Sequence, residues 1–549
     1  MRLLPVLLAL TGALPDGAFV RVEGARFTVG GQPFAFVGAN LEVMHGAANR
    51  DRAAETLTAA ATDGLTVGRV WALGEGDAAS PPWARAHQLF RVGPDEWLAA
   101  ADDQLDRVLA AARARGVRVI VTLANYWDDY GGVRQYLAWA GLPTDGFAAR
   151  DRFFSDERTR AFYRAHLERL LTRTNRVTGV RYADDPTLFA WELMNESQVS
   201  TPEGAAARRA WIDEMAAFVR ARDPHHLVTP GVMGYTSRAE RAEWLAVCRL
   251  PTVDYCDSHL YPQTTDRVTS FERLRAYIDD RVQLARFVAH KPIVFGEFGF
   301  RTDDEGYLAR PRADWFAAFL QRTIFDGAGG ALAWIYQPWS GRARDFGIYV
   351  DRRDTDDVRA TLRRFAAAPA APSHNPLLGE AHGDALFYDP YVEEQRSPHQ
   401  HLRDGAIEMP PSAFAAARWE RLGSWGQGAG AHAYGAGDGW FDYRFTLPRA
   451  ASPTLEARLS SEWPGSTAPP DGGSQVTVRV DGAAVGTVDV LADDGIGRLE
   501  RVALGRLRAG RHTVRLAVEP GAHAHGLCVY GDERAPLRIV VTAPASTPD

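Results

Sequence analysis

Two glutamates stand out by position: Glu196 ends the run FAWELMNE (189–196), and Glu297 lies within VFGEFG (294–299). In each, an apolar β-type stretch turns polar where a strand should hand over to a loop. If the two carboxyl groups face each other, one held protonated can donate to the leaving oxygen of a glycosidic bond. The other, ionised, can attack the anomeric carbon, and a separation of about 5–5.5 Å gives net retention. The neighbours assign the roles. Arg69 and Tyr261 can give Glu297 a cation and a hydrogen bond that lower its pKa, as a nucleophile requires. Glu196, in a less polar spot, keeps its proton near neutral pH as the general acid. Asn195, beside the acid, has the donor and acceptor to meet a sugar 2-hydroxyl. His259 and Tyr261 alternate on one strand and so share the cleft, and Trp334 offers a flat apolar floor. Trp127, Tyr130 and Trp339 are candidates for outer subsites. Glu192 has the strand parity of Glu196 but lies deeper, and is read as a structural acid paired with an Arg. A lone Glu at a strand end is more often merely ion-paired or solvated; two, each with aromatic and amide companions, favour chemistry.

Elements that bring such residues together recur along the chain. In DQLDRVLAAARARG (103–116), Leu105, Val108, Leu109 and Ala112 fall at helical spacing, and Gly116 supplies the stop. The near-continuous apolar strand VRVIVTLA follows at once, the pattern of a parallel sheet covered on both faces. Eight such strands are predicted: AFVGAN, TVGRVWAL, VRVIVTLA, TLFAWELMN, HLVTPGV, VDYCDSHLY, PIVFGEFG and GALAWIY. The expected fold is α/β, a (β/α)8 TIM barrel over 18–366 that opens on a hairpin, with the polar strand ends at its upper rim. No Gly-rich phosphate turn follows the first strand, which argues against a doubly wound sheet. After a linker and unplaced segment (367–410), alternating strands such as WFDYRFTL predict a C-terminal antiparallel β-sandwich over 411–545. Trp419, Trp425, Trp440 and Trp463 could stack on sugars there, although core filling is the commoner role of Trp in a sandwich. The acidic loops PDGG and ADDG would suit calcium, but turn chemistry explains them equally well.

The 549 residues are 46% hydrophobic and 24% charged, which suits folded domains with a large core. A net charge of -7 gives no basic footprint for nucleic acid. The opening MRLLPVLLALTGA, with small residues at Thr11 and Ala13, reads as a secretory signal within 1–17 and an extracellular or periplasmic destination. No stretch reaches the roughly 18 apolar residues of a membrane span. The three cysteines permit at most one bridge, Cys248 and Cys256 being nearest in sequence, and lack zinc-ligand spacing. With no Gly-x-Ser-x-Gly turn either, no metal or cofactor is expected. A monomer with neither nucleic-acid nor membrane partner is the expectation.

WELMNE, HLYP, VFGEFG and the Trp334 strand resemble the family-5 glycoside hydrolases, a retaining (β/α)8 group. Upstream, GRVWALGEG, VTLANYWDDYGGVRQYLAWAG and RFFSDERTRAFYRAHLERLLTRTNRVTGVRYADDPTLFAWELMNE resemble the endo-β-1,4-mannanases of that family, over roughly 35–340. The resemblance implies hydrolysis of β-mannan or manno-oligosaccharides, with Glu196 as acid/base and Glu297 as nucleophile. Arg69, Asn195, His259, Tyr261 and Trp334 would line the subsite around the bond. Relatives commonly read Asn-Glu-Pro-Arg after the fourth strand, whereas this chain has Asn195-Glu196-Ser197-Gln198. The missing Arg removes a charged fork on the aglycone side. It leaves exo-β-mannosidase action, or another β-glycan such as β-glucan, as alternatives. A glycan-binding protein without catalysis is the third reading, and the survival of both carboxylates argues against it.

Overall fold

Every residue of Val67–Trp71, Arg118–Thr122 and Leu188–Glu192 is buried, polar ones included. Burial on both faces is what a parallel sheet demands when helices cover it outside and side chains fill it inside. In the computed structural model the predicted runs form eight parallel strands: β1 (Phe36–Glu42), β2 (Val67–Trp71), β3 (Arg118–Thr122), β4 (Leu188–Glu192), β5 (Leu227–Thr229), β6 (Cys256–Leu260), β7 (Ile293–Phe298) and β8 (Gly330–Ala333). Hydrogen bonding runs in the order β5-β4-β3-β2-β1-β8-β7-β6. The ring closes through Asp254 N–H donating to Val228 O (2.8 Å) and His259 N–H to Met233 O (2.7 Å). The result is a (β/α)8 TIM barrel.

The structure describes residues 19–42, 44–46, 52–262, 268, 271–301, 311–337, 346–367, 378, 401–403, 406–409, 411, 414–425, 431–447, 449–461, 473–491, 497–521, 525–531 and 537–541. The expected signal segment, the acidic loops PDGG (except Gly473) and ADDG, Trp339, Trp463 and the side chain of Trp425 lie outside them, as does most of the expected linker.

Local sequence explains both the agreement and the differences. Helix Ala99–Arg113 buries Leu105, Val108, Leu109 and Ala112 as its spacing predicts, and Gly116 follows at φ 68°. Strand β5 is shorter than HLVTPGV suggested, because Pro230 has no N–H to give a ladder and Gly231 turns away at φ 70°. The predicted strand GALAWIY stops at Ala333, before Trp334. A three-stranded N-terminal sheet (Val20–Glu23, Arg26–Val29, Gln32–Phe34) seals one end of the barrel: Phe27 meets Phe189 and Tyr255 edge-on at 5.1 and 5.4 Å. The one bridge the sequence left open, Cys248–Cys256, is not formed. All three cysteines are buried and outside any disulfide.

The chain divides into two compact units near residue 388. The second is antiparallel around one apolar core, the expected sandwich texture. Phe441, Tyr443, Phe445 and Leu447 of the 17-residue strand Ala431–Leu447 point inward, as their alternation predicts, to meet Val514, Leu516 and Val518. That strand pairs with Gly526–Gly531 along its first half and Gly510–Val518 along its second. Trp419 packs into this core, its ring centre 4.9 Å from that of Phe441.

The last helix described in the first unit, Asp356–Ala366, is tied back to the start of the barrel by charge. Asp63 is buried and accepts from Arg359 (2.8 and 3.2 Å), Arg363 (2.8 Å) and the Tyr336 hydroxyl (3.0 Å). Asp63→Ala should therefore destabilise the barrel by about 2–4 kcal/mol, since it strands the half-buried Arg359. Thermal or urea unfolding followed by the barrel's tryptophan fluorescence measures the loss.

Candidate active site

Strand β2 carries Arg69 into the barrel mouth, fully buried, and all five of its N–H groups are used. Nε and Nη2 form a fork on Glu192 of β4 (2.8 and 2.6 Å). Nη1 donates to Asn40 Oδ1 (2.8 Å) and Glu297 Oε1 (2.7 Å), and Nη2 also to Asn195 Oδ1 (2.7 Å). Attraction from Glu192 and Glu297 outweighs the burial penalty and raises the pKa of Arg69 further. Glu192 is thus the buried structural acid its strand depth suggested, with Arg69 as its partner.

Glu297 of β7 receives that N–H on one oxygen and the Tyr261 hydroxyl on the other. Its strand leaves no room for a side chain one residue earlier. A Cβ on Gly296 would lie 2.5 Å from Asp257 Oδ1, which instead accepts the Gly296 N–H at 2.9 Å.

Glu196 follows β4 in a left-handed conformation at φ 54°, which costs a non-glycine residue about 1–2 kcal/mol. One oxygen meets His259 Nδ1 at 2.6 Å, the other accepts from Trp127 Nε1 at 2.5 Å. Trp127, expected at an outer subsite, is therefore a direct partner of this carboxylate. His259 also lies 3.6 Å from Glu297 Oε2, and an oxygen of each glutamate and a His259 nitrogen fall within 4.8 Å of one another. The geometry thus brings together Glu196, Glu297, Arg69, Asn195, His259, Tyr261 and Trp127. Trp334 is half-buried, its ring 6.0 Å from that of Trp71, and Tyr130 packs edge-on to Trp71 at 5.8 Å.

The electrostatics correct two expectations, the raised pKa expected of Glu196 and the lowered one expected of Glu297. Glu196 does not sit in a less polar spot. Burial works against its charge, but the His259 and Trp127 hydrogen bonds outweigh burial and lower its pKa. Glu297 is pushed up to about 7 by burial, which exceeds the help from His259 and Arg69 while the charge of Glu196 opposes a second anion. His259 pays a burial penalty too, yet the carboxylates around it hold its pKa well above the ordinary imidazole value. Two carboxyl groups this close titrate as a pair and share one proton.

Two positioning residues escaped the sequence reading. Asn40, two residues before the end of β1, accepts from Arg69 Nη1 while donating to Gly296 O (2.9 Å). Asn125 follows β3 and accepts from Asn195 Nδ2 at 3.0 Å, which orients that amide. AFVGAN and VTLAN both end in Asn, a signal overlooked by a search for carboxylates.

The family model for GH family 5 beta-mannosidase-like proteins matches residues 17–332. The chain belongs to this glycoside hydrolase family. It is 32% identical over 345 residues to mannan endo-1,4-beta-mannosidase 7 of Arabidopsis thaliana, covering 59% of this chain and 78% of the relative. It is 25% identical, with a TM-score of 0.53, to the hyperthermostable endo-1,4-beta-D-mannanase of Thermotoga petrophila RKU-1, over 61% of this chain and 99% of that one. The endo-1,4-beta-mannanase of Rhizomucor miehei shares the fold at 23% identity and a TM-score of 0.56, over 64% of this chain and 99% of that one.

Within this family-5 site, Arg69→Met should cost about 3–5 kcal/mol of barrel stability, because Glu192 and Glu297 lose their shared cation while still buried. Denaturant unfolding measures it, and Arg69→Met combined with Glu192→Leu should recover part of the loss.

Proposed function

We propose that this chain is a retaining endo-β-1,4-mannanase in which Glu297 is the nucleophile and Glu196 the acid/base. The observation that carries this reading is the placement of the two carboxylates within 4.8 Å around His259, well short of the roughly 6.5–9.5 Å that an inverting enzyme needs for its water. The names of the relatives, mannan endo-1,4-beta-mannosidases, support the choice of substrate.

The chemistry follows from the shared proton. As the glycosidic bond stretches, positive charge grows at the anomeric carbon and favours the anion on Glu297, whose Oε1 is already held by Arg69. The proton then belongs on Glu196, and His259, 2.6 Å from one carboxylate and 3.6 Å from the other, is placed to relay it. Glu196 donates to the leaving oxygen as Glu297 bonds to the sugar. Loss of the negative charge on Glu297 lets Glu196 act as base toward water in the second step. Asn195, oriented by Arg69 and Asn125, faces the 2-hydroxyl; Trp334 and Trp127 line the sugar's path.

Where relatives carry an Arg, Gln198 turns its amide to Met233 Sδ at 3.2 Å. No guanidinium therefore reaches the aglycone sugar from that position. We infer internal cleavage nonetheless; product analysis on galactomannan and mannohexaose tests it. A fast viscosity drop with mixed oligomers is expected, whereas mannose alone would mean exo-β-mannosidase action and activity confined to glucan another β-glycanase. We also propose export, on the signal character of the first 17 residues. The N-terminus of the mature protein in culture medium checks this.

Glu297→Gln should lose activity on every substrate, whereas Glu196→Ala should lose roughly 10²–10⁴-fold on mannohexaose but far less on an aryl mannoside with an activated leaving group, which needs no acid. Equal losses on both substrates would reverse the assignment. Glu297 titrates near 7, so kcat/KM should fall above about pH 7 as the pair loses its shared proton. Because the Tyr261 hydroxyl lowers the Glu297 pKa, Tyr261→Phe should move that alkaline limb to higher pH.

A further inference from the structure

The second unit carries a cleft of about 570 Å³ on the outward face of its sheet, away from the core formed by Phe441, Leu516 and Val478. Four strands build it: β9 (Ala416–Trp425), β10 (Ala431–Leu447), β11 (Gly473–Val480) and β12 (Gly510–Val518). Register places Arg418 opposite Trp440, Trp440 opposite Ala517, Asp442 opposite Arg515, and Arg515 opposite Arg479. Alternation sends all of these to the same face. The small Ala517 leaves the gap beside the indole.

The polar groups of this cleft are already set in place. Arg515 gives two hydrogen bonds to Asp442 (2.6 and 2.8 Å), and its guanidinium lies 3.8 Å from the Trp440 ring centre. The stack fixes the indole as an apolar wall at little further entropic cost. Arg479 leans on Glu519 at 3.2 Å. Counting Arg418 and Asp438, the lining holds three cations and three anions. A phosphate or nucleic acid would want an excess of cations, and a basic peptide the reverse. A balanced set of planar donors and acceptors beside one aromatic wall fits a neutral polyhydroxylated ligand, whose hydroxyls take bidentate bonds while a C–H face packs on the ring.

We propose that this cleft is a second glycan site, which binds a neutral β-linked oligosaccharide against Trp440 with Arg515, Asp442 and Arg479 as its hydrogen-bonding floor. The inference rests on the mannanase reading only for the choice of probe.

The full chain carrying Glu196→Gln, titrated calorimetrically with mannohexaose and with cellohexaose, should show two sites for at least one of them. Adding Trp440→Ala should leave one site, and Arg479→Ala, at the rim, should weaken the second site roughly tenfold, the worth of one charge-assisted hydrogen bond. Raising the salt should not change its affinity, as it would for an anion. A single site that survives Trp440→Ala, or two sites indifferent to both Trp440→Ala and Arg479→Ala, overturns the proposal. If Trp440→Ala does not fold, the Arg479→Ala titration decides. Wild-type hydrolysis of mannohexaose is read separately: hydrolysis with only one glycan site sinks this inference alone, while a Trp440-dependent site without hydrolysis sinks the mannanase reading alone.

Discussion

One guanidinium organises the mouth of this barrel. Arg69 is buried, charged and saturated, with each N–H on an oxygen from strand β1, β4 or β7 or from the turn after β4. A buried cation is tolerable only if its partners are complete. Completing them forces Asn40, Glu192, Asn195 and Glu297, spread over more than 250 residues of sequence, into one layer. The two carboxylates face each other because the same hub also positions the amide next to Glu196.

His259 is the second organiser. It contacts Glu196 directly and Glu297 at longer range, and its charge compensates for two anions in a space that water hardly enters. Asp257, two residues back on β6, lies 3.7 Å from its other nitrogen and takes the Gly296 N–H, so the strand that carries Glu297 is clamped to the strand that carries His259. The site is therefore built from rigid strand ends, and Glu196 itself takes a strained left-handed backbone. Rigid placement is what a double displacement needs, since the reacting oxygens must hold their places through two steps.

The two units use the same physics at different places. In the barrel, polar side chains converge where parallel strands end. In the second unit they collect in the middle of an antiparallel face, because strict alternation sends every other residue outward and Ala517 leaves a gap among them. Trp419 and Trp440 show how fine that division is. Twenty-one positions apart on paired strands, one fills the core and the other lines the open face, a consequence of period-two geometry that a bare count of tryptophans cannot distinguish.

Strand and helix periodicity alone determined the eight-fold alternation, the inward set Phe441 to Leu447, and the two glutamates at strand ends, because each of these depends on neighbours a few residues away. The depth of Glu192 was equally legible from its parity with Glu196. What only the tertiary structure decided depends on distant groups meeting: that Asn40 and Asn125 complete the hub, that Trp127 donates to Glu196, and that the proton balance of the pair leans toward Glu297. A pKa is a sum over everything within several ångströms, and His259 and Trp127 come to Glu196 from other strands of the barrel. Cys248 and Cys256 make a related point: a helix and a strand bring their side chains into contact, yet both remain thiols.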